Sequence, residues 1–167
     1  MKSKKSKLVK INKEPLTDFN FSEEFHTNLG GSLLFYDRTI ESHLIRSNGD
    51  DYIKLWFDCD DYTKVERPCE RDIIYKVEPV NFLDYAEGNI SLRELIKKSD
   101  DIYLSEYRRN ENDKYWSVSF DELDEIYDCI EIGDEAFKHI YDNYYDDTMK
   151  PYLINKIRNN KIKSLKL

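Results

Sequence analysis

Side chains able to recognise a positively charged surface concentrate between residues 121 and 147. Asp121, Glu122, Asp124, Glu125 and Asp128 open the segment, Glu131, Asp134, Glu135 and Asp142 continue it, and Asp146 and Asp147 close it. Lys138 is the only lysine or arginine among them, and Tyr127, Tyr141, Tyr144 and Tyr145 are interleaved. Carboxylates steer a basic partner during encounter, and a tyrosine ring adds affinity once it is desolvated. The expected partner-binding set is therefore Asp121, Glu122, Asp124, Glu125, Asp128, Tyr141, Tyr144, Tyr145, Asp146 and Asp147. An ordinary acidic helical face with its tyrosines packed inward has the same composition, and so does a mimic of nucleic acid. Spacing alone leaves the three open.

A second set of acids, Asp58-Cys59-Asp60-Asp61, follows an apolar strand run. A strand ending in Asp-x-Asp resembles phosphatases of the haloacid dehalogenase type. That resemblance implies one carboxylate attacking phosphorus while both help to hold magnesium. The family's pattern wants Thr or Val at the fifth position, where Tyr62 stands, and Thr63 comes one residue late. The same acids do not make a calcium loop, because Thr63 and Cys69 replace the glycine and glutamate such a loop needs. Magnesium requires only one or two protein carboxylates, so a small metal-dependent phosphoester hydrolase using the acids near Asp58 stays as the alternative reading.

Other chemistry finds less support. Cys59, Cys69 and Cys129 are odd in number and form no CxxC pair, which argues against a zinc knuckle or a disulfide framework and fits the reduced thiols of a cytosol. His26, His43 and His139 lie neither three nor four residues from another His or a Cys, so no helical metal pair exists. Gly30-Gly31 lacks the remaining glycines and the Lys-Ser/Thr ending of a phosphate loop. No catalytic residue, metal ligand or cofactor is assigned, and the chain is expected not to be an enzyme.

Charge divides the chain in three. Residues 1–14 hold six lysines against Glu14, residues 149–167 hold five lysines and Arg158 with no acid, and the stretch between carries 33 acids against 14 bases. An acidic body of net charge -19 flanked by basic ends repels nucleic acid and attracts basic protein surfaces. The expected division is a flexible basic arm over 1–15, an acidic domain over 16–148, and a basic helical tail over 149–167 that packs on the domain or extends from it. Near the N-terminus Lys10 interrupts the apolar residues Leu8, Val9 and Ile11, so the run of roughly 7–15 apolar residues of a secretory signal is missing. No stretch approaches the ~20 apolar residues of a membrane span, and a cytoplasmic location is expected.

The positioning elements follow from turn chemistry and alternation. Phe19, Phe21 and Phe25 offer an apolar edge that can dock on the body. Ser32–Tyr36 and Ile40–Arg46 read as strands, the second ended by the Ser47-Asn48-Gly49-Asp50 turn, since Asn-Gly between apolar runs is a strong hairpin signal. Residues 52–57 alternate Tyr52, Lys54 and Trp56 on one face with Ile53, Leu55 and Phe57 on the other, as in a central strand. Asp58–Arg71 reads as a polar loop and Ile73–Glu78 as a further strand. Pro79 opens a short helix that Gly88 stops, and Ser91 and Glu94 stand at capping-box spacing. Ile102–Tyr107 and Tyr115–Val118 form a hairpin, and Phe120–Tyr127, Ala136–Tyr145 and Pro151–Asn159 are helical. The fold class is α+β: a mostly antiparallel sheet with short helices on one face or end and a helical C-terminal segment.

The segments GGSLLFYDR, DYIKLWFDCD and YKVEPVNFLDYAEGNISLRELIKKSDDIYL, in that order, resemble a family of small bacterial domains of unknown function, number six-five-seven-five. The resemblance covers about residues 30–107, implies a fold, and brings no catalytic residues. Together these readings describe a non-catalytic, acidic protein-binding module. It is expected to act as an inhibitor or accessory subunit of antitoxin, immunity or phage defence and counter-defence type. Its partner is another protein with a basic surface, such as a nucleic-acid-processing enzyme, with no direct nucleic-acid binding and no membrane.

Overall fold

The computed structural model describes residues 12–36, 38–59, 63, 64, 66–126 and 144–166. Six strands follow one another as a meander: β1 (Phe25–Tyr36), β2 (Arg38–Arg46), β3 (Asp51–Cys59), β4 (Cys69–Lys76), β5 (Ile102–Arg108) and β6 (Lys114–Val118). Every neighbouring pair is antiparallel and the spatial order equals the sequence order. Helix α1 (Phe21–Glu24) precedes the sheet, α2 (Pro79–Ala86) and α3 (Leu92–Lys97) join β4 to β5, and α4 (Phe120–Ile126) follows β6. A π-helical turn (Tyr145–Met149) then runs directly into α5 (Lys150–Leu165). The α+β class with an antiparallel sheet is as expected. The loop read at 58–71 is shorter than expected, because β3 continues to Cys59 and β4 begins at Cys69.

Local chemistry explains the joints. In the β2–β3 turn Gly49 adopts a φ of 91°, and the Arg46 amide donates to the Asp50 carbonyl at 2.9 Å. Pro79 starts α2, and Gly88 at a φ of 81° ends it, a conformation in which a Cβ is strained. Ser91 caps α3 reciprocally: its hydroxyl accepts from the Glu94 amide at 3.1 Å, and the Glu94 carboxylate accepts from the Ser91 amide at 2.8 Å. Ser119 and Glu122 repeat that box at α4 with the same distances, 3.1 and 2.8 Å. Pro151 sits inside a helix that is continuous from Tyr144, where its ring would meet the carbonyl four residues back. The wider π-turn just before it opens that wall.

The sheet buries both faces. One carries Ile53, Leu55, Ile73, Tyr75, Leu104, Trp116 and Val118 against Phe82 and Tyr85 of α2, Leu92, Leu95 and Ile96 of α3, Leu123 of α4, and Tyr145, Met149 and Leu153 of the C-terminal helix. The other carries Phe25, Leu44, Tyr52, Ile74, Tyr103 and Tyr115, closed over by Phe19 and Phe21. The aromatic edge at 19–25 therefore docks where the sequence suggests. The alternation in β3 is the reason both cores exist, since Tyr52 enters one and Ile53 and Leu55 the other.

Arg46 ties the second core together. Its guanidinium lies 5.5–5.8 Å from the ring centres of Phe25, Tyr52 and Tyr103 and donates to Glu24, Asp101 and the hydroxyls of Tyr52 and Tyr103. Arg46→Ala is expected to cost about 1–2 kcal/mol, because the cation–ring and ion-pair contributions are moderated by its partial exposure. Urea unfolding followed by tryptophan fluorescence measures it, and Arg46→Lys recovers only part, since an ammonium cannot make the forked contacts.

Candidate functional site

The expected partner-binding residues divide into groups. Asp121 on α4 and Asp146 and Asp147 on the π-turn are exposed, so these three present carboxylates to solvent. Glu122 is committed locally: it completes the Ser119 cap and pairs with Lys13 at 2.5 Å, and the two contacts hold its carboxyl below the usual glutamate range. Tyr144 and Tyr145 are 8% and 5% exposed and belong to the helix-side core, so neither ring is offered to a partner as an anchor. Asp124 and Glu125 lie on the backbone of α4. Asp128 and Tyr141 lie outside the described residues, as does the expected helix from Ala136 up to residue 143. The physical reason for the tyrosine placement is helix periodicity. Tyr144 and Tyr145 share a face with Met149 and Leu153, which the core needs, while Asp146 and Asp147 fall on the opposite side.

Sequence reading missed a buried polar chain that fastens the C-terminal helix to the sheet. His43 on β2 and Asp51 on β3 are each 1% exposed. His43 Nε2 lies 2.8 Å from Asp51 Oδ1, and His43 Nδ1 lies 3.0 Å from the Tyr144 hydroxyl. Lys156 Nζ donates to Asp51 Oδ2 at 2.6 Å and to the Gly49 carbonyl at 2.5 Å. Burial alone would push the Asp51 carboxyl up, but the hydrogen bonds from His43 and Lys156 outweigh it and hold the group below its ordinary value. An ionised Asp51 accepts from a proton on His43 Nε2, and the Tyr144 hydroxyl, able to donate or accept, is the partner of Nδ1. Phenol, imidazole, carboxylate and ammonium are thus in line, yet each is used up by its neighbours inside the fold. No short-range signal exposes this chain, because His43 and Tyr144 are 101 residues apart.

Glu41, on the same strand and face as His43, is fully buried, and neither carboxylate oxygen has a hydrogen-bond partner. Burial pushes its carboxyl up to about 8. Among the described residues no three His, Cys, Asp or Glu side chains converge as a metal set. Of the acids considered for phosphoester chemistry, Asp58 lies on β3 opposite Arg71 of β4, and Asp60 and Asp61 lie outside the described residues. Cys69 is buried, with its thiol 3.7 Å from the Glu70 carbonyl.

The basic ends both touch the body. The Lys13 carbonyl accepts from the Trp116 indole at 3.0 Å, and the Leu16 amide donates to the Tyr115 carbonyl at 2.8 Å, so the N-terminal segment runs beside β6. Helix α5 packs through Leu153 and Lys156, and then every residue from Arg158 to Lys166 is exposed. The tail thus both packs and extends. No described helix is long and apolar enough to cross a membrane.

These features define an α+β protein built on one antiparallel meander, with helices on one face and an aromatic N-terminal segment on the other. No family model, curated protein or solved structure matches the chain.

Proposed function

We propose that this protein is a non-catalytic binding module, an inhibitor or accessory subunit whose acidic helical layer docks a basic surface of another protein. The observation that supports this reading is how the ionisable groups are divided. His43, Asp51 and Lys156, which could have formed a reactive set, are consumed by one another in the interior. Asp121, Asp146 and Asp147 face solvent from helices whose apolar sides are held in the core. With Tyr144 and Tyr145 inside, recognition on this layer leans on charge. Such a surface raises association rates and is sensitive to salt.

The test uses the partner captured from the native host and identified by mass spectrometry, with binding kinetics measured at low and high salt. Asp121→Lys, Asp146→Lys and Asp147→Lys combined in one full-length variant should slow association about tenfold or more at low salt and leave dissociation little changed. Glu122 is left intact because its loss would remove a helix cap. Unchanged association in a variant with a native circular dichroism spectrum rules the acidic layer out as the docking surface.

A further inference from the structure

We infer that the projecting end of α5 is a self-association arm, which docks on the acidic layer of a second copy of this chain. The inference rests on the reading of that layer as a dock for basic surfaces, and it names one such surface. Met149, Leu153 and Lys156 recur at i, i+4 and i+7 on the packed side of the helix. Arg158, Ile162 and Leu165 lie on the opposite side, and all three are exposed. Ile162 and Leu165 remain 50% and 84% exposed, although large apolar side chains gain by leaving water. Lys161, Lys163 and Lys166 flank them, and no acid occurs anywhere in α5.

The direction of the arm carries it away from the described residues of its own domain. Leu153 in the core and Lys156 on Asp51 fix the base of the helix, and the nine residues from Arg158 to Lys166 carry it about 13 Å further at 1.5 Å per residue. A continuous helix cannot fold back across that distance. The acidic body that matches the arm in charge is the same chain's, with 33 acids against 14 bases between residues 15 and 148, and a second copy brings it within reach. Two copies can exchange arms reciprocally, so that each contact is made twice about a two-fold axis. An arm of this length covers less surface than a standard interface, so the association is weak and salt-dependent.

Sedimentation velocity on the full chain, from 5 to 200 µM, tests this at about 50 mM and about 500 mM salt, roughly Debye lengths of 14 and 4 Å. The expected result is a weight-average mass that rises with concentration beyond the 20.1 kDa of one chain at low salt and falls back at high salt. Ile162→Glu with Leu165→Glu, and separately Lys161→Glu with Lys163→Glu, should raise the apparent dissociation constant at least tenfold with circular dichroism unchanged. A monomer at every concentration and salt overturns the inference. So does self-association that persists in both arm variants, or that survives Asp121→Lys with Asp146→Lys and Asp147→Lys. Adding a short DNA duplex separates the other occupant: duplex binding by a monomer that the lysine variants abolish assigns the arm to phosphate instead. A monomeric outcome leaves the acidic layer's binding of a different partner intact, because those kinetics are read on single chains.

Discussion

Lys156→Met should lower the unfolding free energy by about 3 kcal/mol at pH 6–7, among the larger losses a single substitution produces. The methionine fills most of the lysine stem's volume, so the change reports the ammonium rather than a cavity. What it leaves behind is Asp51, buried between β2 and α5 with His43 as its remaining strong donor. Removing one partner of a buried ion pair costs about 3–5 kcal/mol, and the lower end applies because Lys156 is itself 28% exposed and water can partly replace it. The pH dependence carries a definite sign. Asp51 is held below its ordinary value in the folded state, so its contribution is fully present above about pH 4 and is lost as pH falls through the folded value. The gap between wild type and Lys156→Met should therefore narrow as pH falls through the folded value of Asp51 and the carboxyl takes a proton. A double-mutant cycle with Asp51→Asn, read by urea unfolding, should give a coupling of about 1–3 kcal/mol. Additive losses and a gap independent of pH would show that Lys156 does not act through the charge on Asp51.

Glu41→Leu should have the opposite effect and stabilise the protein by about 3 kcal/mol at pH 7. A carboxyl that titrates at about 8 when folded and at 4.5 when unfolded favours the unfolded chain throughout the interval between, by about 1.4 kcal/mol per pH unit. The folded protein keeps its full share of stability below pH 4.5, loses it steadily as pH rises to about 8, and loses no more beyond. Glu41→Gln separates titration from packing: it stays polar and buried but abolishes the slope. Urea unfolding of wild type and both variants at pH 5, 6.5 and 8 decides the matter. Parallel profiles for wild type and Glu41→Gln would mean that Glu41 does not hold its proton in the fold. Taken with Asp51, the expected stability maximum lies in the mildly acidic range, where Asp51 is already ionised and Glu41 is still neutral.

Much of the architecture is written in short stretches of sequence. The hairpin at Asn48-Gly49, the Pro79 start and Gly88 stop of α2, the Ser91–Glu94 box and the two-faced run at 52–57 each appear where residue types place them. Each depends on contacts within a few residues, so neighbouring identity is enough. Ser119 and Glu122 have the same local spacing as Ser91 and Glu94, which commits Glu122 to a helix cap rather than to docking.

The candidate surface was legible only as a composition. An acidic stretch rich in tyrosine is consistent with anchors facing out or with a core facing in, because sequence specifies the helical period but not its phase. Packing set the phase. Tyr144 and Tyr145 turn inward with Met149 and Leu153, and Asp146 and Asp147 are left to the solvent. The polar chain through His43, Asp51, Tyr144 and Lys156 belongs wholly to the tertiary structure. Its members come from two strands and the C-terminal helix, with bonded partners up to 105 residues apart where Lys156 meets Asp51, and only the packing of that helix on the sheet brings them within hydrogen-bond reach. By itself the sequence determined the strands, the caps, and the charges at each end and in the middle. The tertiary structure decided which of those charges are spent inside and which face solvent, because that choice is made by burial and burial is a property of the whole chain.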